Sequence, residues 1–448
     1  MVKEKAFYRT IFAIALPAAF HGLISFLVVL ADNMMVSSLG TLAFSGVSIT
    51  NSMTALFTAA VSGIVSGSGV LISQYWGKKD TARIKQVFSV VTILVMALSA
   101  CVTILVRCLP AVFLGLLTDK RDVIEAAMPY ATFVCFSYIP FALSSALVGM
   151  LRAVEVVKVT LYVAIMSLAV NVGLNYVLIY GHLGFPALGV KGAAIATVIA
   201  RVAELSVVWV YAFKIQRAID IRPQELLKPG KGMWLDYMKY GLPVGIGDAQ
   251  WALVGVLKAS IIGHLDKVVI GANTIAENMM GLGMIFTSSL AAGAVVVIGK
   301  TVGQKDYART RQYSNTIQLM FFAFGLIISV LLFLLRKPFV SLYDAEAQVA
   351  LLAADMIGIG AVTMIGTTYH ASCFVGINRG AGDSRFVMIV DLICGWLVVL
   401  PISYVAAFIW KVDAKWMFLF LRIDQCFKWI IAFIRLRGNK WIKNVTRD

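Results

Sequence analysis

The chain has 448 residues, of which 60% are hydrophobic and only 14% charged, with a formal net charge of +16 and a mean hydropathy of +0.87. A soluble globular protein carries roughly a quarter charged residues, so this composition excludes that class and marks a polytopic membrane protein. The cations lie in short clusters between apolar runs, which fits membrane lipids and orientation and speaks against a nucleic-acid partner.

Apolar runs recur near 11–36, 43–73, 87–107, 127–150, 157–180, 190–213, 238–262, 270–299, 314–335, 350–377, 386–410 and 416–435. A helix needs about 20 residues to cross a bilayer, so the expected fold is an all-α integral membrane protein with about twelve transmembrane helices. The runs are unbroken rather than alternating, which disfavours a β-barrel. The first is long and lacks a small-residue cleavage site, so it reads as a span and not as a removable signal. Cys101, Cys108, Cys135, Cys373, Cys394 and Cys426 show no metal or CxxC spacing and read as small buried hydrophobes.

The first run, IFAIALPAAFHGLISFLVVLA, ends at Asp32. A carboxylate at the end of such a stretch is costly and is a functional candidate, the alternative being a turn cap outside the membrane. His21 and Ser25 share its helical face within about 20°. Pro17, inside the same run, removes a backbone hydrogen bond and predicts a kink, either static or a hinge. In the second run Asn51 is followed by Thr54, Thr58, Ser62 and Ser66, a polar stripe that either lines a cavity or packs small residues between helices. The fifth run places Asn171 and Asn175 one turn apart, and the sixth carries Thr197, then Arg201 and Glu204 at a spacing for mutual neutralisation. Pro243, Asp248, Gln250 and Lys258 fall in the seventh run, Glu277 in the eighth, His370 in the tenth, Asp391 in the eleventh, and Arg422 and Asp424 in the twelfth. Pro243 is a hinge or static kink equivalent to Pro17, and Arg422 and Asp424 read as charges neutralised by neighbours; each of the others is a cleft candidate whose alternative is a structural hydrogen bond, an ion pair or, for Lys258, snorkelling to the interface.

Basic clusters at Lys3–Arg9, Lys78–Lys85, Lys214–Lys231, Lys300–Arg311 and Arg437–Arg447 fall after alternate spans, which places both termini in the cytoplasm. The stretch 216–236, with Pro223, Pro229 and Gly230, reads as a cytoplasmic linker. It separates an N-lobe (1–215) from a C-lobe (237–435), and 436–448 is a cytoplasmic tail.

The halves are related. QYWGKKDTARIKQ at 74–86 aligns without gaps with KTVGQKDYARTRQ at 300–312, and the offset of 226 also pairs Leu16-Pro17 with Leu242-Pro243. Six duplicated spans make parallel repeats, so two pseudo-symmetric six-helix lobes are expected, a design common in alternating-access transporters. At the same offset Asp32 corresponds to Lys258, which sets an acid and a base at one depth of equivalent helices.

From residue 8 to 435, ALPAAFHGLISFLVVLADNMMVSSLG, the GKKDTAR and GQKDYAR loops, NVGLNYVLIYG followed by GVKGAAIAT, and GINRGAGDSR resemble the multidrug and toxin extrusion (MATE) family of secondary transporters. The resemblance implies a monomeric antiporter in the cell membrane that exports small organic, often cationic, compounds against H⁺ or Na⁺, with no other cofactor. It further implies a bending Pro17, a cation-coupling Asp32 that takes up the proton or Na⁺, and supporting roles for Asn171, Asn175 and Thr197. The chain departs from the family at Asn175, where one branch has an aspartate, and at Asp248 and His370, which only approximate the glutamate and aspartate of another branch. A lipid-linked saccharide flippase of the same superfamily and a passive channel are the rival readings. An embedded enzyme is disfavoured, because no loop on the opposite side gathers acid, histidine and arginine groups.

Overall fold

The computed structural model describes residues 2–115, 118–343, 345–438 and 440–447, and every regular element among them is helical. Among the described residues ten helices are long and apolar enough to cross a membrane: α1 (Lys5–Ser37), α2 (Thr41–Lys78), α3 (Thr81–Cys108), α4 (Arg121–Ala153), α5 (Lys158–Tyr180), α6 (Val190–Ile215), α8 (Lys267–Gly303), α9 (Tyr307–Val340), α10 (Ala347–Arg379) and α11 (Ser384–Ile409). Two further segments complete the expected twelve. In α7 (Leu242–Gly263) Asp248, Gln250 and Lys258 dilute the apolar run. The last, α12, is broken into Ala414–Phe420 and Lys428–Arg437 by a short turn at Ile423–Cys426, which carries the polar Asp424 and Gln425.

The chain divides into two compact units: 17–72 with 80–238, and 1–16 with 73–79 and 239–448. The first boundary falls at Leu16/Pro17, inside the continuous helix α1, where Pro17 offers no N–H to the carbonyl four residues earlier. Its repeat partner Pro243 has a different local setting. It lies in the first turn of α7, directly after a π-helical turn at Tyr237–Gly241, where a missing N–H costs little.

In the 17–238 unit, Val36, Val47, Tyr130, Val134, Ile179 and Ala194 form an apolar cluster that ties α1, α2, α4, α5 and α6 together. The other unit has larger cores, one around Ile298, Ile317, Phe321 and Ile377, another around Met280, Ile357 and Phe418. Of the cysteines, Cys135, Cys373 and Cys394 are buried, but Cys101, Cys108 and Cys426 are exposed, which corrects the expectation that all six are core hydrophobes. In a membrane chain the outer apolar surface suits a thiol as well as the core does, and periodicity alone does not separate the two.

The duplication is visible in backbone geometry. Lys79 and Lys305 both adopt φ of 61°. The following Asp80 and Asp306 cap α3 and α9 by accepting from the amides of Arg83 and Arg309, each at 3.0 Å. Just before these turns the ends of α2 and α8 meet reciprocally. A Cβ on Gly77 would stand 2.1 Å from the carbonyl oxygen of Lys300, and one on Gly303 would stand 1.9 Å from that of Gln74. Only glycine permits backbones to approach so closely. Since 74 and 300, and 77 and 303, are related by the offset of 226, one contact is written twice.

The linker is pinned to its own unit by Glu225, which accepts from the amide of Arg222 at 2.9 Å and pairs with Lys85 at 3.1 Å. Burial opposes ionisation of Glu225 but these two donors outweigh it, holding its carboxyl below the usual glutamate range. The C-terminal tail is also docked: the amide of Val445 donates to Gln74 at 2.8 Å, that of Lys443 donates to Ala381 at 2.8 Å, and Trp441 is fully buried.

Candidate functional site

Within the 17–238 unit the helices enclose a cavity of about 540 Å³. The polar stripe of α2 faces it along its length, since Asn51, Thr54, Thr58, Ser62 and Ser66 all line the space. Their spacing of three or four residues keeps them on one face, so the cavity reading of the stripe is the one the structure supports. Asn51 accepts from the Tyr130 hydroxyl at 3.4 Å, and Thr54 shares a 3.0 Å hydrogen bond with Tyr138.

From α1, His21, Ser25 and Asp32 enter the same cavity, as the shared helical face requires. The carboxylate of Asp32 accepts a hydrogen bond from the side-chain amide of Asn175. That amide also donates to Asn171 at 3.3 Å, and both asparagines are buried. One turn of α5 thereby links Asn171 through Asn175 to the acid, which is part-buried. Asn171 and Thr197 line the cavity too. The five groups Asp32, Asn51, Asn171, Asn175 and Thr197, carried by four different helices, are therefore brought together.

A second group of charges reaches the cavity that the sequence did not assign to it. Arg201 pairs with Glu204 at 2.7 Å, as their spacing predicts, but both side chains line the space. Glu204 is buried, takes a further hydrogen bond from Ser144 at 2.8 Å, and lies 3.5 Å from Ser167. Arg152 of α4 joins them. Two carboxylates, Asp32 and Glu204, thus face two guanidiniums, Arg152 and Arg201, and with His21 neutral the cavity carries no net charge. The available signal for Arg152 was an arginine close to the end of an apolar run, which reads equally as the start of a loop.

The remaining candidates lie in the other unit, and all but Gln250 and Lys258 are tied to partners there. Asp248 pairs with Arg379 at 2.9 Å, Glu277 with Arg422 at 2.6 Å, and Asp391 with Lys428 at 3.0 Å. Lys428, 1% exposed, also reaches Asp424 at 3.0 Å, and His370 hydrogen-bonds Gln425 at 2.6 Å. Lys258 stands 5.9 Å from the ring centre of Trp251, with no ion-pair partner among the described residues. Burying a charge is costly unless it is matched, and Asp248, Glu277, Asp391 and Asp424 are matched by the chain's own cations.

The MatE family model matches residues 17–177 and 243–405, two segments that begin at the repeat offset. A protein named "Probable multidrug resistance protein NorM" from Bacillus cereus is 26% identical over 415 residues, covering 90% of this chain and 89% of that one. "Uncharacterized transporter YisQ" of Bacillus subtilis is 23% identical over 424 residues, covering 92% and 90%. In fold, the crystal structure of a MATE protein in complex with MaL6 superposes with a TM-score of 0.86 at 18% identity over 96% of this chain and 95% of that one. An outward-facing MATE transporter of the MOP superfamily superposes equally well, at 0.86 over 98% of each chain. The family match spans well over half of the sequence, both repeats included, and so the chain belongs to the MatE family of multi-pass membrane transporters, a transporter and not an enzyme.

Proposed function

We propose that the protein is a multidrug efflux antiporter that expels small, cationic organic compounds by alternating access, in exchange for H⁺ or Na⁺ taken up at Asp32. The observation that carries this reading is the cavity in which Asp32, held by Asn175, shares one space with Arg201 and Glu204. With Asp32 ionised the cavity is neutral and its acid is open to an organic cation, whose apolar body suits Phe57, Phe141 and Tyr138 on the walls. When Asp32 is neutralised from the outer side, the two guanidiniums are left with one carboxylate and the space turns positive. An organic cation is then repelled, which couples uptake of one cation to release of the other. Relatives named for multidrug resistance support the substrate class.

Pro17 supports a conformational step, because the chain passes from one compact unit to the other at that residue. Without a hydrogen bond across Pro17, α1 is at its softest there, between the tied Asp32 and its own N-terminal turns. Asn171 and Thr197 act as polar neighbours of the coupling site in this scheme. The chain works as a single copy in the cell membrane with both termini in the cytoplasm, an orientation supported by the basic loops. Efflux of a fluorescent organic cation from proteoliposomes, under separately imposed pH and Na⁺ gradients, tests the scheme. Either gradient should drive efflux in the wild type, and insensitivity to both would overturn it.

A further inference from the structure

We propose that the 239–448 unit carries a binding site for the headgroup of an anionic phospholipid on the face of the basic loops, built by Arg311 and Arg437. The two arginines line a cavity of about 570 Å³ whose walls include Leu319, Phe322 and Phe433 and whose floor includes Trp441. No carboxylate lines this space, and neither arginine has an ion-pair partner among the described residues. Arg437 instead lies over the ring of Phe433, 4.4 Å from its centre.

The repeat shows what such a cation normally meets. At the offset of 226, Arg311 corresponds to Lys85, and Lys85 is answered by Glu225 of the linker at 3.1 Å. The linker after the first half supplies an acid to Lys85, whereas among the described residues no carboxylate lines the cavity of Arg311. The unanswered position in the second repeat is therefore open to an anion from outside the chain. Trp441 supplies an independent sign: it is 1% exposed, and its indole nitrogen has no acceptor among the described residues. A buried donor of this kind ordinarily finds a partner, and an oxygen of a ligand in the cavity it lines would provide one.

The apolar walls decide the class of anion. Leu319 and Phe322 are 49% and 46% exposed and continue along α9 into Leu326, Ile327 and Val330, an outward surface suited to acyl chains. A free phosphate gains nothing from that wall, while a glycerophospholipid places its phosphate on the arginines and its chains along the helix.

Full-length protein in detergent, offered phosphatidylglycerol or phosphatidylcholine of identical chains and read by native mass spectrometry, tests the site. The wild type should retain phosphatidylglycerol preferentially, and Arg311→Gln or Arg437→Gln should each weaken that retention by about five-fold. The pair Arg311→Lys with Arg437→Lys should keep the preference, which guards against loss through misfolding. Arg217→Gln with Lys228→Gln, removing two exposed cations of the linker, should leave it unchanged. Equal retention of both lipids by the wild type, or an unaltered preference in both Arg311→Gln and Arg437→Gln, overturns the proposal. So does displacement of the lipid by millimolar inorganic phosphate, which would make the occupant a free anion.

Discussion

The side-chain amide of Asn175 donates to the carboxylate of Asp32, joining the fifth helix to the first inside the cavity. The acid therefore has one neutral donor beside it and no second carboxylate within that contact. A site with a single negative charge holds a proton or a monovalent cation by one group, and its occupancy is set by the neighbours of that group.

Asn175→Asp places a second carboxylate against Asp32, where the amide now donates. Two like charges at hydrogen-bond distance repel unless a cation sits between them. The expected outcome is efflux that depends more steeply on a Na⁺ gradient at fixed pH than in the wild type, measured with a fluorescent organic cation in proteoliposomes. An unchanged response to Na⁺ would show that the fifth-helix position does not shape the coupling site.

Arg201→Ala leaves Glu204 buried with its hydroxyl partner but without its counter-charge. Removing one member of such a pair costs on the order of 3 kcal/mol, because the remaining charge is uncompensated. The variant should melt at a lower temperature in detergent than the wild type, and Arg201→Ala with Glu204→Ala should recover most of the difference. If the double variant melts no higher than the single one, the pair has no stabilising role.

Gly77→Ala and Gly303→Ala should be destabilising to a similar degree, by about 1–3 kcal/mol each, since both Cβ atoms would enter a backbone carbonyl of the opposite helix. Matched losses in thermal stability would confirm the reciprocal contact. A loss at one glycine alone would mean that the repeats do not share it.

Much of this arrangement was legible before any coordinates. The shared face of His21, Ser25 and Asp32 followed from helical spacing, as did the stripe from Asn51 to Ser66, and both line the cavity. The offset of 226 paired Asp80 with Asp306, and the structure shows that both cap a helix. The destination of a charge was harder to read. Asp248, Glu277 and Asp391 looked as free as Asp32, because their partners Arg379, Arg422 and Lys428 lie more than 35 residues away along the chain and no periodicity links them. Arg201 and Glu204 were legible as a pair but not as cavity groups, since pairing and location are separate questions.

The N-terminal segment offers a pH test. Glu4 accepts from Arg309 at 2.5 Å and from Tyr313 at 2.9 Å, and the Arg309 guanidinium holds its carboxyl below the usual value of 4.5. A depressed carboxyl contributes stability above its unfolded value and loses it as pH falls through the folded one. Hydrogen-exchange protection of the first turn of α1 should thus be constant from roughly pH 5 to 8 and should decline on acidification below about pH 4. In Glu4→Gln it should be weak throughout. Constant protection down to about pH 3 in the wild type would remove Glu4 from the anchoring of this segment.

The central claim is that Asp32 couples cation uptake to solute release. The direct measurement is efflux from proteoliposomes containing Asp32→Asn, with pH and Na⁺ gradients imposed in turn and protein insertion matched to the wild type. The asparagine preserves size and hydrogen bonding but cannot change charge, so neither gradient should drive efflux while binding of the organic compound remains measurable. Gradient-driven efflux at the wild-type rate would contradict the account.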